Sequence, residues 1–550
     1  MKLLLYINTI LYLKPIQIIW RFRNAFIRPK LNKKITYHPR KALGIWVKPN
    51  LFKTSMIGPL NFNFLNKTFH IKKSSDWNNK SLDKLWLYNL HYFEDLLAEK
   101  SLERNKWHFD YINNWIENNK SEKGIGWEPY PTSLRICNWI KWFNEGEHYE
   151  NHWIESLSFQ ADLLSQTIEF QNMGNHLFVN AKALIFSGTF LKGSDADRWL
   201  EKGLNILDKE IDEQILSDGA HFELSPMYHS IILMDLLDLI NLAKYFKTEE
   251  LMSRIEKWKK FVIIMFNWGS LMNHPDKNIS FFNDSAFDIA PKLSNLKQYI
   301  DELGITLNSK QLPTIENDFA KIFHMRNSGY IRTDINEKVC LIKDCAKIGP
   351  DYIPAHGHAD TLSFELSING KRVFVNSGVS SYNNSDQRLY ERGTLSHNTV
   401  TVDNRNSSEV WSNFRVARRA IPTEPIFSKV EDSLKIECSH DGYKSLFGGV
   451  THLRSWEIRN SSLLIEDRLV GKYNKAIARF ILHPSIQIEL LKNVVNFYIE
   501  GESISNISFN SNDIKSKEVL WSPCFGKTEK TNCIEVQINN KKLLSKLSWN

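Results

Sequence analysis

The sequence predicts a two-part α+β chain, N-terminal helical hairpins arranged as an α/α toroid or array followed by a C-terminal antiparallel β-sandwich. Two observations carry this. From Leu82 to about Ile300 apolar residues recur at helical spacing, as in Leu233, Leu236, Leu237 and Ile240, which mark one buried helical face. After about residue 325 the period shortens: Leu362, Phe364, Leu366 and Ile368 alternate with Ser363, Glu365 and Ser367. Asn369-Gly370 then reads as a tight hairpin turn and Lys371–Asn376 as the return strand.

At 550 residues the chain is too long for a single core. We divide it into a basic segment (1–80) packing on the toroid, the toroid (81–325) and the sandwich (326–550). Helices are expected near 107–119, 132–145, 150–170, 176–190, 196–212 and 249–268. Their connections carry Gly124, Gly126, Pro129, Pro131, Gly174, Gly188 and Pro226, so antiparallel helical neighbours follow. Strands are expected at Val339–Ile342, Leu362–Ile368, Val373–Val375, Thr399–Val402, Leu434–Cys438, Leu453–Ile458, Leu463–Glu466, Ala478–Leu482 and Phe497–Glu500, a density that suits a sandwich.

Composition narrows the function classes. With 42% hydrophobic and 24% charged residues the chain is an ordinary globular protein. Its 17 Trp, 18 Tyr and 32 Phe are read first as core, and second as rings able to stack on sugars. A net charge of +8 is compatible with an anionic polymer, but no Arg-rich block or zinc-finger spacing points to nucleic acid. There is no CxxC pair, which argues against a thiolate metal site, while Cys524 and Cys533 are spaced to bridge a hairpin. Nothing in the residues sets an oligomeric state.

At the N-terminus, Met1-Lys2 and the apolar Leu3–Ile7 resemble a signal start. Asn8 interrupts the run, Lys14-Pro15 follows, and no small-residue cleavage site precedes Arg21. The run is too short to span a bilayer, so no integral membrane span is expected. An amphipathic helix docking on the protein or on a membrane surface is the preferred reading. The stretch Lys30-Leu31-Asn32-Lys33-Lys34 is expected to be exposed.

Four polar clusters could carry chemistry. His356-Gly357-His358-Ala359-Asp360 stands at the mouth of the predicted hairpin, and His397 precedes the strand Val400–Val402. In the helical part stand Trp127–Arg135, Gly174–Lys182 and Asp218–His229. Asn175 and His176 enter a helix from a loop, and Tyr228 and His229 follow Pro226 at another helix start, where unpaired N–H groups favour anions. Each cluster alone could equally be capping or core structure.

Taken in order, these blocks resemble the heparinase II/III-like polysaccharide lyases. Trp86–Phe93, Trp127–Arg135, Gly174-Asn175-His176-Leu177, Ser225–His229, His356–Phe364 and Ser396–Thr399 all follow that family's pattern. The resemblance implies β-elimination in a 4-linked uronate polymer, with an acidic polysaccharide as partner. It makes Tyr228 the acid, and also a base in syn elimination. Asn175 and His176 would contact the uronate carboxylate, with His176 an alternative base and His356 a second one. Arg135, Trp127 and His229 would bind substrate. The family also implies one structural divalent metal, often zinc, whose ligands here would be His358, Asn376 and His397. Asn376 replaces the family's carboxylate, and a neutral amide is a poor zinc ligand; Asp360 in its place, or no metal, stays open. His356 and His358 share one side of an extended strand, so Gly357 is expected to bend the chain between their two roles.

His-x-His-x-Asp also opens the metal site of metallo-β-lactamase-like hydrolases, but Thr361 and a hairpin follow it here. A non-catalytic glycan-binding or surface-polysaccharide assembly protein on a lyase fold is the other class kept. A polymer substrate fits the periplasm or cell envelope, with the cytoplasm as the alternative.

Overall fold

The computed structural model describes residues 2–30, 37–120, 122–146, 149–307, 313–446 and 448–549. Within the basic stretch Lys30–Lys34, Lys30 is exposed and the other four residues lie outside the described ones.

Helices form where the apolar period predicts them, at Asn105–Asn118, Pro129–Gly146, Asn151–Gln166, Gly174–Phe190, Ser194–Gln214 and Pro226–Phe246. The helix expected near 249–268 is two, Glu249–Met252 and Ile255–Met272, because the chain turns at Ser253-Arg254. Neighbours along the chain pack on one another, the helix Gly174–Phe190 lying against both Pro129–Gly146 and Ser194–Gln214. Trp77, Trp86, Trp115, Trp139, Trp153 and Trp258 are fully buried among them, so the aromatic richness of this half is mostly core.

A three-stranded sheet, Met56–Gly58, Asn61–Phe64 and Lys67–His70, precedes the toroid helices. Its Met56, Phe62 and Phe64 join the core of the toroid. The toroid's core therefore begins well before residue 81. These strands escape sequence reading because they are only three or four residues long.

The sandwich begins at Ile315. Its first sheet has six strands, from Lys371–Phe374 at one edge through Phe364–Ile368, Val339–Asp344, Tyr330–Ile335 and Ala320–Met325 to Ile315–Glu316. A four-stranded sheet and an eight-stranded sheet follow, the latter running from Ile426–Val430 to Gln487–Leu491 with Ser462–Val470 and Lys542–Trp549 at its centre. All three contribute to one apolar core. The hairpin turn is as expected, with Asn369 at φ 47° and Gly370 at φ 77°. Its first strand starts at Phe364 rather than Leu362, whose φ of 64° excludes it from the ladder.

The Cys524–Cys533 bridge is absent, and both thiols are free. In their hairpin Cys524 pairs with Lys527 and Cys533 with Lys517, so the two residues are not opposite one another.

Candidate active site

Two helix starts carry the first part of the site. Ser225 caps the helix Pro226–Phe246, its side chain accepting from the Tyr228 N–H at 3.2 Å, with Pro226 in the first turn. This holds Tyr228 at the helix entrance. The Ser225 hydroxyl in turn donates to the carbonyl of Asp284 at 2.6 Å. The helix Gly174–Phe190 starts from a bent backbone, with Met173 at φ 57° and Gly174 at φ 53°. A Cβ on Gly174 would stand 2.3 Å from Glu223 Oε1 and displace that carboxylate, and the positive φ strains any other residue there. Glu223 Oε1 accepts from the Asn175 N–H at 3.1 Å. Among the described residues the Asn175 carboxamide has no hydrogen-bond partner, while His176 Nδ1 lies 3.1 Å from Glu169 Oε1 and its ring lies 4.3 Å from that of Tyr130.

The loop Asn283-Asp284-Ser285 joins this helical wall to the sandwich. Asn283 donates to the Leu224 carbonyl at 2.9 Å and accepts from the His358 N–H at 2.9 Å. Asp284 is fully buried and takes His356 Nδ1 on one carboxylate oxygen and His358 Nε2 on the other, each at 2.8 Å. Arg388, from the short helix Asp386–Glu391, bonds both oxygens at 2.5 and 2.7 Å. The His356 ring stacks 4.0 Å from Tyr228, and the Tyr228 hydroxyl lies 3.1 Å from that of Tyr382.

These groups face one cleft of about 880 Å³, whose walls include Tyr130, Asn175, His176, Tyr228, His356 and Tyr382. Burial, followed by the neighbouring Tyr382, holds the Tyr228 phenol well above its usual range, so it stays protonated at neutral pH. Burial pulls His176 down, but the Glu169 carboxylate outweighs it and the net shift is upward. Burial raises Glu223, and it pushes Glu94 at the cleft wall up to about 7. For Asp284, burial is outweighed by Arg388 and the two histidines, which hold it well below the carboxylate range.

Similarity to known proteins follows the same order along the chain. The family model described as Heparinase II/III N-terminus matches residues 55–303, and Heparinase II/III-like, C-terminal matches 319–550. The chain belongs to the heparinase II/III-like family. A heparin-sulfate lyase of Bacteroides thetaiotaomicron is 28% identical over 334 residues, covering 53% of this chain and 47% of that protein. One of Bacteroides stercoris is 28% identical over 366 residues, covering 62% and 50%. The chain thus spans about half the length of the curated relatives it matches. The crystal structure of a heparinase III superposes with a TM-score of 0.69 at 19% identity, covering 88% of this chain and 80% of the other. A heparan sulfate lyase from Pedobacter heparinus gives 0.59 at 18%, covering 89% and 81%. At such identities the likeness is one of fold, toroid followed by sandwich.

Not every residue that the heparinase II/III-like pattern suggests reaches the cleft. Arg135 is fully buried beneath it, donating to the Gly126 carbonyl at 2.8 Å and to Gln160, with its guanidinium 4.0 Å over the Trp115 ring. Trp127 packs on Trp115 and Phe159 and donates to the Asn119 carbonyl. His229 sits against Trp268 and bonds the Met265 carbonyl at 2.9 Å. All three are core residues here, not subsite residues, because their polar atoms are spent inside the toroid. Lys182 likewise turns inward, to Asp235 and Asp238. Asp284, Tyr382 and Arg388 were not legible as site residues, and Glu223 was so only as a member of the Asp218–His229 cluster. The polar triplet Asn283–Ser285 between Phe282 and Phe287 was the available signal for the first.

The implied metal is tested by the donors themselves. His358 Nδ1 faces His397 Nε2 at 3.2 Å. The other nitrogen of each ring is committed as a donor, to Asp284 and to the Gly393 carbonyl at 2.8 Å. Two lone pairs therefore face each other, which suits a proton or cation between them. The third donor does not complete a zinc site: the neutral Asn376 amide accepts from the Asn398 N–H, and its nitrogen is buried without a partner among the described residues. Asp360 is no substitute, since its carboxylate is shared with Asp344 and the Asn283 N–H. Among the described residues no three His, Cys, Asp or Glu side chains are grouped to hold a metal ion. Gly357 is needed for approach rather than for a turn, as a Cβ there would lie 2.4 Å from the Ile348 carbonyl oxygen.

Proposed function

We propose that this chain is a polysaccharide lyase that cleaves a uronate-containing polymer by β-elimination. The observation that carries the reading is the meeting of Tyr228, His356, Asn175 and His176 in one cleft, with His356 oriented by Asp284. The Asn175 carboxamide and the His176 ring offer N–H donors to the C6 carboxylate, which makes the C5 proton acidic. His356 gives its Nδ1–H to Asp284, and its Nε2, 3.6 Å from Glu223 Oε2, is the nitrogen that serves as base in the neutral ring. It takes the C5 proton, the C–H electrons form the C4=C5 double bond, and the C4–O bond breaks. The Tyr228 phenol protonates the leaving oxygen. The raised His176 suits the cationic role better than that of base.

The polymer we infer is carboxylated and sparsely sulfated. Three of the four cations at the cleft wall are already engaged: Lys84 with Glu128 at 2.8 Å, Arg419 with Asp351 at 3.3 Å, and Arg415 over the Trp411 ring, while Arg21 has no ion pair among the described residues. Glu94 and Glu169 line the same wall, which disfavours dense negative charge. A polymer substrate also goes with a place at the cell envelope. A divalent ion between His358 and His397 remains a separate proposal, structural in role, and no step above passes through it. The test is a panel of acidic polysaccharides read by ultraviolet absorbance of the conjugated C4=C5 product. No absorbance gain on any uronate polymer, sulfated or not, would overturn the reading.

A further inference from the structure

The chain's charge is strongly polarised. Asp76 is its first acidic residue, and fifteen Lys and Arg precede it. Since the whole chain is only +8, everything from Asp76 onward is net negative. The most basic stretch coincides with the most apolar exposed surface of the molecule. The helices Lys2–Ile10 and Pro15–Phe26, related by a bend of 109°, each carry an outward apolar stripe. On the first, Leu4, Ile7 and Leu11 are exposed; on the second, Ile19, Phe22 and Phe26, at 62%, 64% and 82%. Single exposed apolar residues are ordinary, but two stripes on adjoining helices are not.

The opposite faces are occupied. Gln17 is buried against the Gln171 and Tyr352 carbonyls, the Trp411 indole donates to Thr9 at 3.1 Å, and Arg419 lies 3.6 Å over Tyr12. Trp20 packs on Phe170. The segment is thus seated on both toroid and sandwich, and Tyr6, Thr9, Ile10 and Leu13 form one edge of the cleft. No single helix among the described residues is long and apolar enough to cross a membrane.

We infer that the first thirty residues are a membrane-surface anchor that binds anionic lipid, with the apolar stripes in the acyl boundary and the cations at the headgroups. Charge and surface pattern select this partner together: a helix lying in the interface needs an apolar face and a Lys- and Arg-rich polar one. An acidic polysaccharide would satisfy the cations but leave the Leu, Ile and Phe stripes in water. A second copy docked through the same thirty residues would bring six like charges against six. The anchor is one helix thick, roughly 10 Å, so the cleft it borders would open beside the lipid surface. The chain would therefore act on polymer at the membrane rather than on polymer free in solution. This does not depend on which uronate polymer is cut.

The test is flotation of the full-length protein with vesicles of phosphatidylcholine, with and without phosphatidylglycerol. Two variants accompany it, I19S/F22S/F26S and R28Q/K30Q; melting temperatures check that each is folded. Binding is expected to the phosphatidylglycerol vesicles, more weakly to phosphatidylcholine alone, and to fall with salt. The charge variant should bind the anionic vesicles about 30-fold more weakly, at roughly fivefold per cation. The apolar variant should lose at least ~100-fold on both. The proposal is overturned if the wild type floats with neither vesicle, or if the variants bind as it does. It is equally overturned if the wild type is a dimer that the apolar variant dissolves without lipid, or if protein isolated from its native cell lacks these residues.

Discussion

Asp284 divides its carboxylate between the two histidines of one loop, taking His356 on one oxygen and His358 on the other at the same 2.8 Å. One buried anion thereby fixes a ring that faces the cleft and a ring that faces the sandwich interior. Its charge is balanced by Arg388, so orientation, charge and fold meet at one residue.

Replacing Asp284 by Asn should therefore do two things. The buried Arg388 loses its anion, at a cost of about 3–5 kcal/mol in stability. His356 loses its orienter, with turnover falling by ~10²-fold or more. The double variant D284N/R388M should regain much of the stability but not the turnover. Recovery of both together would make Asp284 a purely structural residue.

Tyr228→Phe should fold normally and lose ~10²–10⁴-fold in turnover, the range for a missing general acid. Among the described residues the hydroxyl it removes is bonded only to Tyr382, so little stability goes with it. Steady-state rates on any polymer that the wild type cleaves give the answer, and retention of more than about a tenth of the activity sets the acid assignment aside.

Asn175→Ala should act on kcat rather than KM, because negative charge builds on the carboxylate only as C5 loses its proton. The expected loss is ~10²–10³-fold, as for other donors to a developing anion. An effect confined to KM would make Asn175 a ground-state binding residue.

Asn376→Asp should tighten zinc binding, by giving His358 and His397 the anionic third donor they lack. Elemental analysis and zinc-dependent melting temperature are the readouts. Near-zero zinc in both proteins would leave the two imidazoles sharing a proton.

In the sandwich core Asp467 accepts from Arg454 at 2.7 and 3.0 Å and lies 2.7 Å from His452. Burial opposes its ionisation, but Arg454 outweighs it and the net shift is downward. A carboxylate with a depressed folded pKa stabilises fully above its unfolded pKa of about 3.9 and progressively less as pH falls below it. The melting-temperature gap between wild type and Asp467→Asn should thus be constant at neutral pH and narrow below about pH 4. A gap that widens in acid would show that the carboxylate is not the stabilising form.

The sequence by itself determined the elements and their order. Periods of 3.6 and 2 are written into neighbouring residues, so the helix Pro226–Phe246 and the hairpin Phe364–Phe374 could be read locally. The resemblance to the heparinase II/III-like pattern, carried by the blocks around Asn175-His176, Tyr228 and His356, also assigned these residues to one site. What tertiary structure decided is which polar residues reach the cleft. Arg135 and Asp284 look alike in sequence, each a charge among aromatics. Yet one is closed in by Trp115 and backbone carbonyls while the other joins two domains. That difference rests on partners 9 to 104 residues away in the chain, Gly126 for Arg135 and Arg388 for Asp284. Charge satisfaction in a buried site depends on such distant partners, and local patterning does not encode them.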